Sequence, residues 1–186
     1  MSYSIDFKAF SLLYKPIRRQ KDENLGEITL MLNKKTHSIV QIKEETVFSE
    51  QDLADLLKSL NELIPLNKNA AFHQFLGFSI KKTQDLLKNS TFWSVFMIYE
   101  YFPMDLEKEV LQKLKQSSWF SEKSLWNLLE ETIKAVFLLQ NMKRKFLDIR
   151  INRIWINGDK DFKLFYSNYH STSVEKIKKQ ELFYYK

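Results

Sequence analysis

The sequence predicts an α+β domain, and three observations carry that prediction. Apolar and polar residues alternate in strand fashion over Glu27 to Leu32 and Ser38 to Lys43. Apolar residues recur at helical spacing over Ser49 to Ile64 and again over Ser121 to Lys143. Ile154 and Ile156, then Phe162, Leu164 and Tyr166, alternate about Asn157-Gly158-Asp159, whose Asn-Gly supplies the positive φ angles of a tight hairpin.

Taken in order, Met1 to Gln20 is mixed: Phe7, Phe10, Leu12, Leu13 and Tyr14 fit a strand or a short helix, and Pro16 breaks any helix there. The two strands that follow meet across the turn Asn33-Lys34-Lys35-Thr36. The first helix takes Ser49 as N-cap, Glu50 and Asp52 in its first turn, a stripe of Leu53, Leu56, Leu57, Leu60 and Leu63, and Pro65 as its stop. Phe75 to Phe78 reads as a strand, Lys81 to Thr91 as a polar connection, and Phe92 to Tyr101 as an aromatic strand. Asp105 then caps a helix reaching Gln116, and Trp119 and Phe120 are expected to cover the junction with the next helix. That last helix carries Leu125, Leu128, Leu129, Ile133, Val136, Phe137 and Leu139 on one broad face.

Composition bounds the function. A chain of 186 residues with 44% hydrophobic and 15% aromatic residues is long enough for one buried domain, perceived here as 1–186 without a linker. No cysteine is present, which excludes disulfides and thiolate metal sites, and His37, His73 and His170 are scattered, so structural roles are expected for them. A net charge of +6 favours acidic partners, including nucleic acid, but the lysines are dispersed among Asn, Ile and Phe and read as solvated surface; Lys143-Arg144-Lys145 is the one candidate anion site. No apolar run reaches the ~20 residues needed to cross a bilayer, and Asp6 and Lys8 interrupt any signal-peptide core, so a soluble cytoplasmic protein is expected.

The order long helix, polar loop with Asp148, hairpin resembles the catalytic core of a eukaryotic protein kinase. Phe146-Leu147-Asp148 stands where the family has H-R-D, Arg150 where its Lys follows, Arg153 where its metal-binding Asn lies, and Tyr166-Ser167-Asn168 where D-F-G lies. Val40-Gln41-Ile42-Lys43 resembles V-A-I-K, and Met97 to Phe102 followed by Asp105 resembles the strand and hinge between the two kinase lobes. Of the glycine-rich loop, falling on Lys21, Glu23 and Gly26, only the last glycine remains.

The resemblance implies an antiparallel β N-lobe with one helix over about 1–101, and a shortened, mainly helical C-lobe with a β-hairpin over about 102–186. It implies Lys43 in the place of the phosphate lysine, Tyr99 as gatekeeper, Glu100 and Phe102 as hinge residues that a nucleotide would meet, and Asp148 in the place of the catalytic base. The helix position that should supply a Glu to Lys43 falls on Leu60, with Glu62 turned away, and Gln41 should partly fill the nucleotide pocket. Mg²⁺ needs hard oxygen ligands, which Arg153 and Tyr166 do not offer. Lys43 and Asp148 are therefore vestigial, and neither a metal nor a cofactor is expected.

The function expected is that of a catalytically inactive pseudokinase, a scaffold or structural subunit of a larger protein assembly, of which a cytoskeletal or ciliary one is an example. A shortened C-lobe should leave an apolar surface beneath the hairpin and the long helix, and the aromatic tail Leu182-Phe183-Tyr184-Tyr185 could dock there or on a neighbour. Two enzymological alternatives stay open: a nucleotide-binding regulatory pseudokinase, and an atypical active kinase whose metal sits at Asp159 or Asp161. A basic nucleic-acid module would need its cations gathered on one face with aromatics between them.

Overall fold

The computed structural model describes residues 3–22, 24–85, 90–143, 149–157 and 161–166. Within them the chain is α+β, with a mixed six-stranded sheet, a three-stranded sheet and four α-helices. The chain opens with β1 (Ser4–Ile5) and then α1 (Phe7–Leu13). Asp6 decides the helix over the strand: its carboxylate accepts from the backbone N–H of Lys8 and Ala9 at 2.9 and 3.2 Å, which satisfies two amides that a helix start leaves without partners.

The hairpin β2 (Tyr14–Asp22) and β3 (Gly26–Asn33) follows, then β4 (Ile39–Val47). Asp22 closes the first turn by accepting from Asn24 and Leu25 N–H, each at 2.8 Å, and Gly26 takes the positive φ of +79° on its far side. The second turn forms where Asn33 was expected to make it: Asn33 Oδ1 accepts from Lys35 and Thr36 N–H. β2 is an edge strand, and Pro16, a bulge between Pro16 and Arg18, and the exposed Lys15, Arg18, Arg19 and Lys21 keep that edge from recruiting another strand.

Ser49 caps α2 (Glu50–Asn61) through Asp52 N–H at 3.0 Å. The helix stops three residues before the expected Ile64, and Pro65 opens a 3₁₀ turn over Ile64–Lys68 instead. β5 (Phe75–Asp85) and β6 (Ser90–Glu100) are long partners, in one register from Gly77 opposite Ile98 to Asp85 opposite Ser90, with a bulge between Gly77 and Phe75, which lies opposite Tyr99. Lys81 to Asp85 is thus strand, not the polar connection expected; cross-strand contacts such as Lys82 over the Trp93 ring at 5.6 Å hold it there.

The strand order is β1-β5-β6-β4-β3-β2. Two expectations are corrected. The sheet is mixed, because β1 runs parallel to β5, and this half of the chain carries two helices, α1 and α2, rather than one. Gly77 makes the first possible. A Cβ there would sit 2.5 Å from Tyr3 O, the oxygen that accepts Phe78 N–H at 2.8 Å.

The sheet is covered on both faces. Val95, Met97 and Tyr99 face α2 with Leu56 and Leu60, while Val40, Ile42 and Ile98 face Phe10 of α1. Beyond β6, β7 (Met104–Asp105) leads into α3 (Leu106–Lys115) and α4 (Glu122–Asn141), capped by Asp105 and Ser121. β8 (Ile154–Asn157) and β9 (Asp161–Leu164) form the hairpin, with Ile154 opposite Leu164 and Ile156 opposite Phe162. β7 joins it as the third strand.

The two sheets share one apolar core, running from Leu56 and Phe72 through Tyr99 to Leu139, Ile156 and Leu164. Trp119 does not cap the α3–α4 junction; it stands 79% exposed, while Phe120 is covered by Lys113, whose Nζ lies 5.0 Å above its ring. The broad apolar face expected of α4 divides. Ala135 and Leu139 are buried, whereas Leu125, Leu129, Ile133 and Phe137 face outward. No helix among the described residues is long and apolar enough to cross a membrane.

Candidate functional site

The crevice between the two sheets is built around His73, which precedes β5. Two backbone bonds fix its segment to β9: His73 N–H donates to Leu164 O at 3.0 Å and Leu164 N–H to Ala71 O at 2.8 Å. A third ties the end of β6 to the same segment, Glu100 N–H donating to Gln74 O at 3.1 Å. His73 is buried and sits among rings, stacked on Tyr99 at 5.7 Å and on Trp155 at 5.5 Å, with Phe102 and Phe165 at 5.7 and 5.6 Å.

Its Nε2 lies 2.9 Å from Glu100 O and 3.1 Å from the Gln41 side-chain amide. A carbonyl oxygen can only accept, so Nε2 carries the ring proton, and Gln41 must turn its amide oxygen toward that N–H. Nδ1 then keeps a bare lone pair; neither it nor Trp155 Nε1 has a hydrogen-bond partner among the described residues. A second proton on this ring would be a buried cation. Burial, with a smaller contribution from the Lys163 charge, pushes the His73 pKa down to about 3.

Lys163 locks the other side. Its Nζ reaches both Glu100 carboxylate oxygens, at 2.9 and 2.8 Å, and lies 5.2 Å over the Phe102 ring. The same carboxylate accepts from Gln74 N–H at 2.6 Å. One residue, Glu100, therefore gathers β9, the start of β5 and the His73 ring through its N–H, its carbonyl and its side chain.

At the opposite end of the crevice the β2–β3 turn reaches across. Asn24 Nδ2 donates to Asn152 O at 2.6 Å, a link over 128 positions of sequence, and Asn152 belongs to the 3₁₀ turn Ile151–Arg153 that opens the hairpin. Leu25 beside it is buried in the shared core. The crevice is thus filled by Gln41 and His73 at one end and bridged at the other.

Gln41 is fully buried, opposite Tyr99 in register, and Tyr99 is buried against Phe75 and His73 with its pKa raised, by burial first and the Glu45 charge second. Lys43 lies two residues beyond Gln41 on the same face, with its Nζ 3.7 Å from Glu45. Leu60 is buried in α2 at the position where a partner acid for Lys43 was sought. Glu100 and Phe102 are brought together with His73, and Phe102 is buried.

Asp105 is the buried cap of α3, bonded to Lys108 N–H and Nζ. Arg153 closes the 3₁₀ turn and its carbonyl accepts Phe165 N–H at 2.7 Å. Asp148 and Phe146 lie outside the described residues, as do Glu23, Arg144, Lys145, Gly158, Asp159, Ser167, Asn168, His170 and the aromatic tail. Asp161 is described only as the first residue of β9.

The sequence reading missed Trp155, Lys163 and Phe165. Their signal was the hairpin itself, where Trp155 and Phe165 break strict alternation because both faces of the hairpin are covered. His73 was expected to be a structural histidine, and it is hydrogen-bonded and buried. No protein-family model and no curated protein matches the chain.

Proposed function

We propose that this chain is a catalytically inactive protein kinase-like domain that serves as a scaffold subunit in a larger protein assembly. From β2 onward the order of elements supports the kinase-like reading: three antiparallel strands, a helix, two more strands, a link containing β7, two helices and a hairpin follow the succession that the sequence resemblance implies, with β1 and α1 as additions before it. Support also comes from Gly26, the remaining glycine of the expected loop, at the start of β3, and from Lys43, which pairs opposite Met97 on the sheet face that packs against α2.

One observation carries the loss of catalysis. The Glu100 carbonyl, which a nucleotide base would meet at a hinge, already accepts the His73 ring N–H at 2.9 Å. Gln41 occupies the space beside it, fully buried. Entry of a base would require both side chains to leave, and the displaced His73 N–H and Gln41 amide would each cost about 1–3 kcal/mol if left buried without a partner. The Asn24–Asn152 link closes the region where phosphates would lie, and a loop held to the hairpin by its own side chain cannot at the same time wrap a phosphate chain.

What is kept is packing, and packing serves assembly. α4 presents a continuous outward stripe of large apolar side chains, a surface of the kind that marks partner contacts. The test is transfer of labelled phosphate from ATP, with Mg²⁺ or Mn²⁺, to the chain itself or to a general protein acceptor. The expected result is no incorporation above that of the Asp148→Ala variant. Incorporation that is lost in both Lys43→Ala and Asp148→Ala would overturn the reading and favour the atypical kinase.

A further inference from the structure

The outward stripe of α4 consists of Leu125, Trp126, Leu129, Ile133 and Phe137, each between 48% and 62% exposed. At 100° per residue they span about 120° of the helix surface, distinct from the face that carries Ala135 and Leu139 into the core. The stripe is bounded lengthwise, because Glu122 and Gln140 stand at the same azimuth at its two ends. From Leu125 to Phe137 it runs about 18 Å. Along one flank lie the exposed Lys123, Glu130 and Lys134, and Lys134 Nζ is 2.8 Å from Glu130 and 2.9 Å from Glu131 in its own chain.

We propose that this stripe is covered by the same stripe of a second copy, the two α4 helices running antiparallel about a two-fold axis level with Glu131. The spacing fits itself. With that centre Leu125 lies over Phe137 of the second copy and Leu129 over Ile133, so that large side chains meet large side chains all along the contact. The charges favour it on balance: under a two-fold axis of this kind the charged flanks of both helices fall on the same side, and Glu130 comes within two residues, about 3 Å along the axis, of both Lys134 and Glu130 of the second copy, so that two attractive pairs face one repulsive pair. A parallel pair, related by an axis along the helices, would put the two charged flanks on opposite sides of the contact and bring none of these charges together. The five side chains bring roughly 500 Å² per copy, about 1,000 Å² together, which reaches the lower bound for a specific interface.

This inference rests on α4 being the assembly surface of the reading above, and it names the occupant. Sedimentation velocity from 1 to 100 μM is expected to show a concentration-dependent species of twice the chain mass, with Ile133→Glu weakening association at least ten-fold while leaving the melting temperature of the monomer unchanged. Because the chain has no cysteine, direction can be read directly: an oxidised equimolar mixture of Leu129→Cys and Ile133→Cys chains is expected to give mainly the mixed disulfide. A chain that stays monomeric throughout would overturn the pairing and assign the stripe to the residues after Tyr166 or to a different protein. It would leave the non-catalytic reading standing, since that depends on the phosphate-transfer test. A dimer indifferent to Ile133→Glu, or one cross-linking Leu129→Cys chains to themselves, would overturn it too.

Discussion

Acidification should weaken this fold through His73, and the effect can be isolated. The ring is buried and neutral, with its pKa pushed from 6.5 down to about 3 by burial. Above about pH 6.5 neither the folded nor the unfolded chain holds a second proton there, so the ring contributes no pH dependence. Below that value the unfolded ring takes up a proton that the folded ring refuses until about pH 3, so stability falls through that window. At pH 5 the difference is 1.5 units at 1.36 kcal/mol each, about 2 kcal/mol. That is a large part of the 5–15 kcal/mol typical of a domain.

The assay is urea unfolding at pH 7.5 and pH 5 for the wild-type chain and for His73→Gln, which keeps an N–H for Glu100 O but cannot titrate. Carboxylates and the other histidines contribute equally to both proteins. The wild type should lose about 2 kcal/mol more than the variant over that interval. Equal losses would refute the argument, because they would mean that His73 is solvated or already charged in the fold.

Gly77→Ala should cost at least about 2 kcal/mol, because φ is +147° and the new Cβ meets Tyr3 O at 2.5 Å; hydrogen exchange should show the Phe78 amide, which donates to that oxygen, losing its protection. Lys163→Ala removes two charge-assisted bonds to Glu100 between groups at most one-fifth exposed. About 1–3 kcal/mol of stability should go with it, and Lys163→Ala combined with Glu100→Gln should cost less than the two separate losses added.

Much of the architecture was legible in local chemistry. Asn33, Ser49 and Asp105 each perform the turn or cap expected of them, because a short side-chain oxygen meets amides two or three residues away whatever the tertiary context. The hairpin at Ile154 and Phe162 was legible for the same reason, since its register follows from alternation. α1 was ambiguous: seven residues with four large apolar side chains suit either period, and only the Asp6 cap settles it. The strand Lys81 to Asp85 was hidden because a strand projecting from a sheet carries polar residues on both faces and so looks like a loop.

The site was half legible. Gln41, Tyr99, Glu100 and Phe102 were found through motif order, and Gln41 was expected to fill space where the structure buries it. That a histidine 32 positions away supplies the other half of the plug depends on how the segment before β5 is tied to β9, which no local pattern encodes. Nor could spacing say which side of α4 is covered. Leu128 and Leu129 are neighbours in sequence with the same side chain, but only the second lies on the exposed stripe.

The central claim, that the chain's own side chains close the crevice to nucleotide, is tested most directly by thermal melting with and without 1 mM ATP, each with and without Mg²⁺. A ligand bound at 10 μM would stabilise the fold by about 2.7 kcal/mol, which is a rise of roughly 5–10 °C for a chain of this size. The account predicts a shift of less than about 1 °C in every condition. A Mg²⁺-dependent rise of several degrees that Lys43→Ala abolishes would contradict it, because His73 and Gln41 would then have to yield their places to the nucleotide.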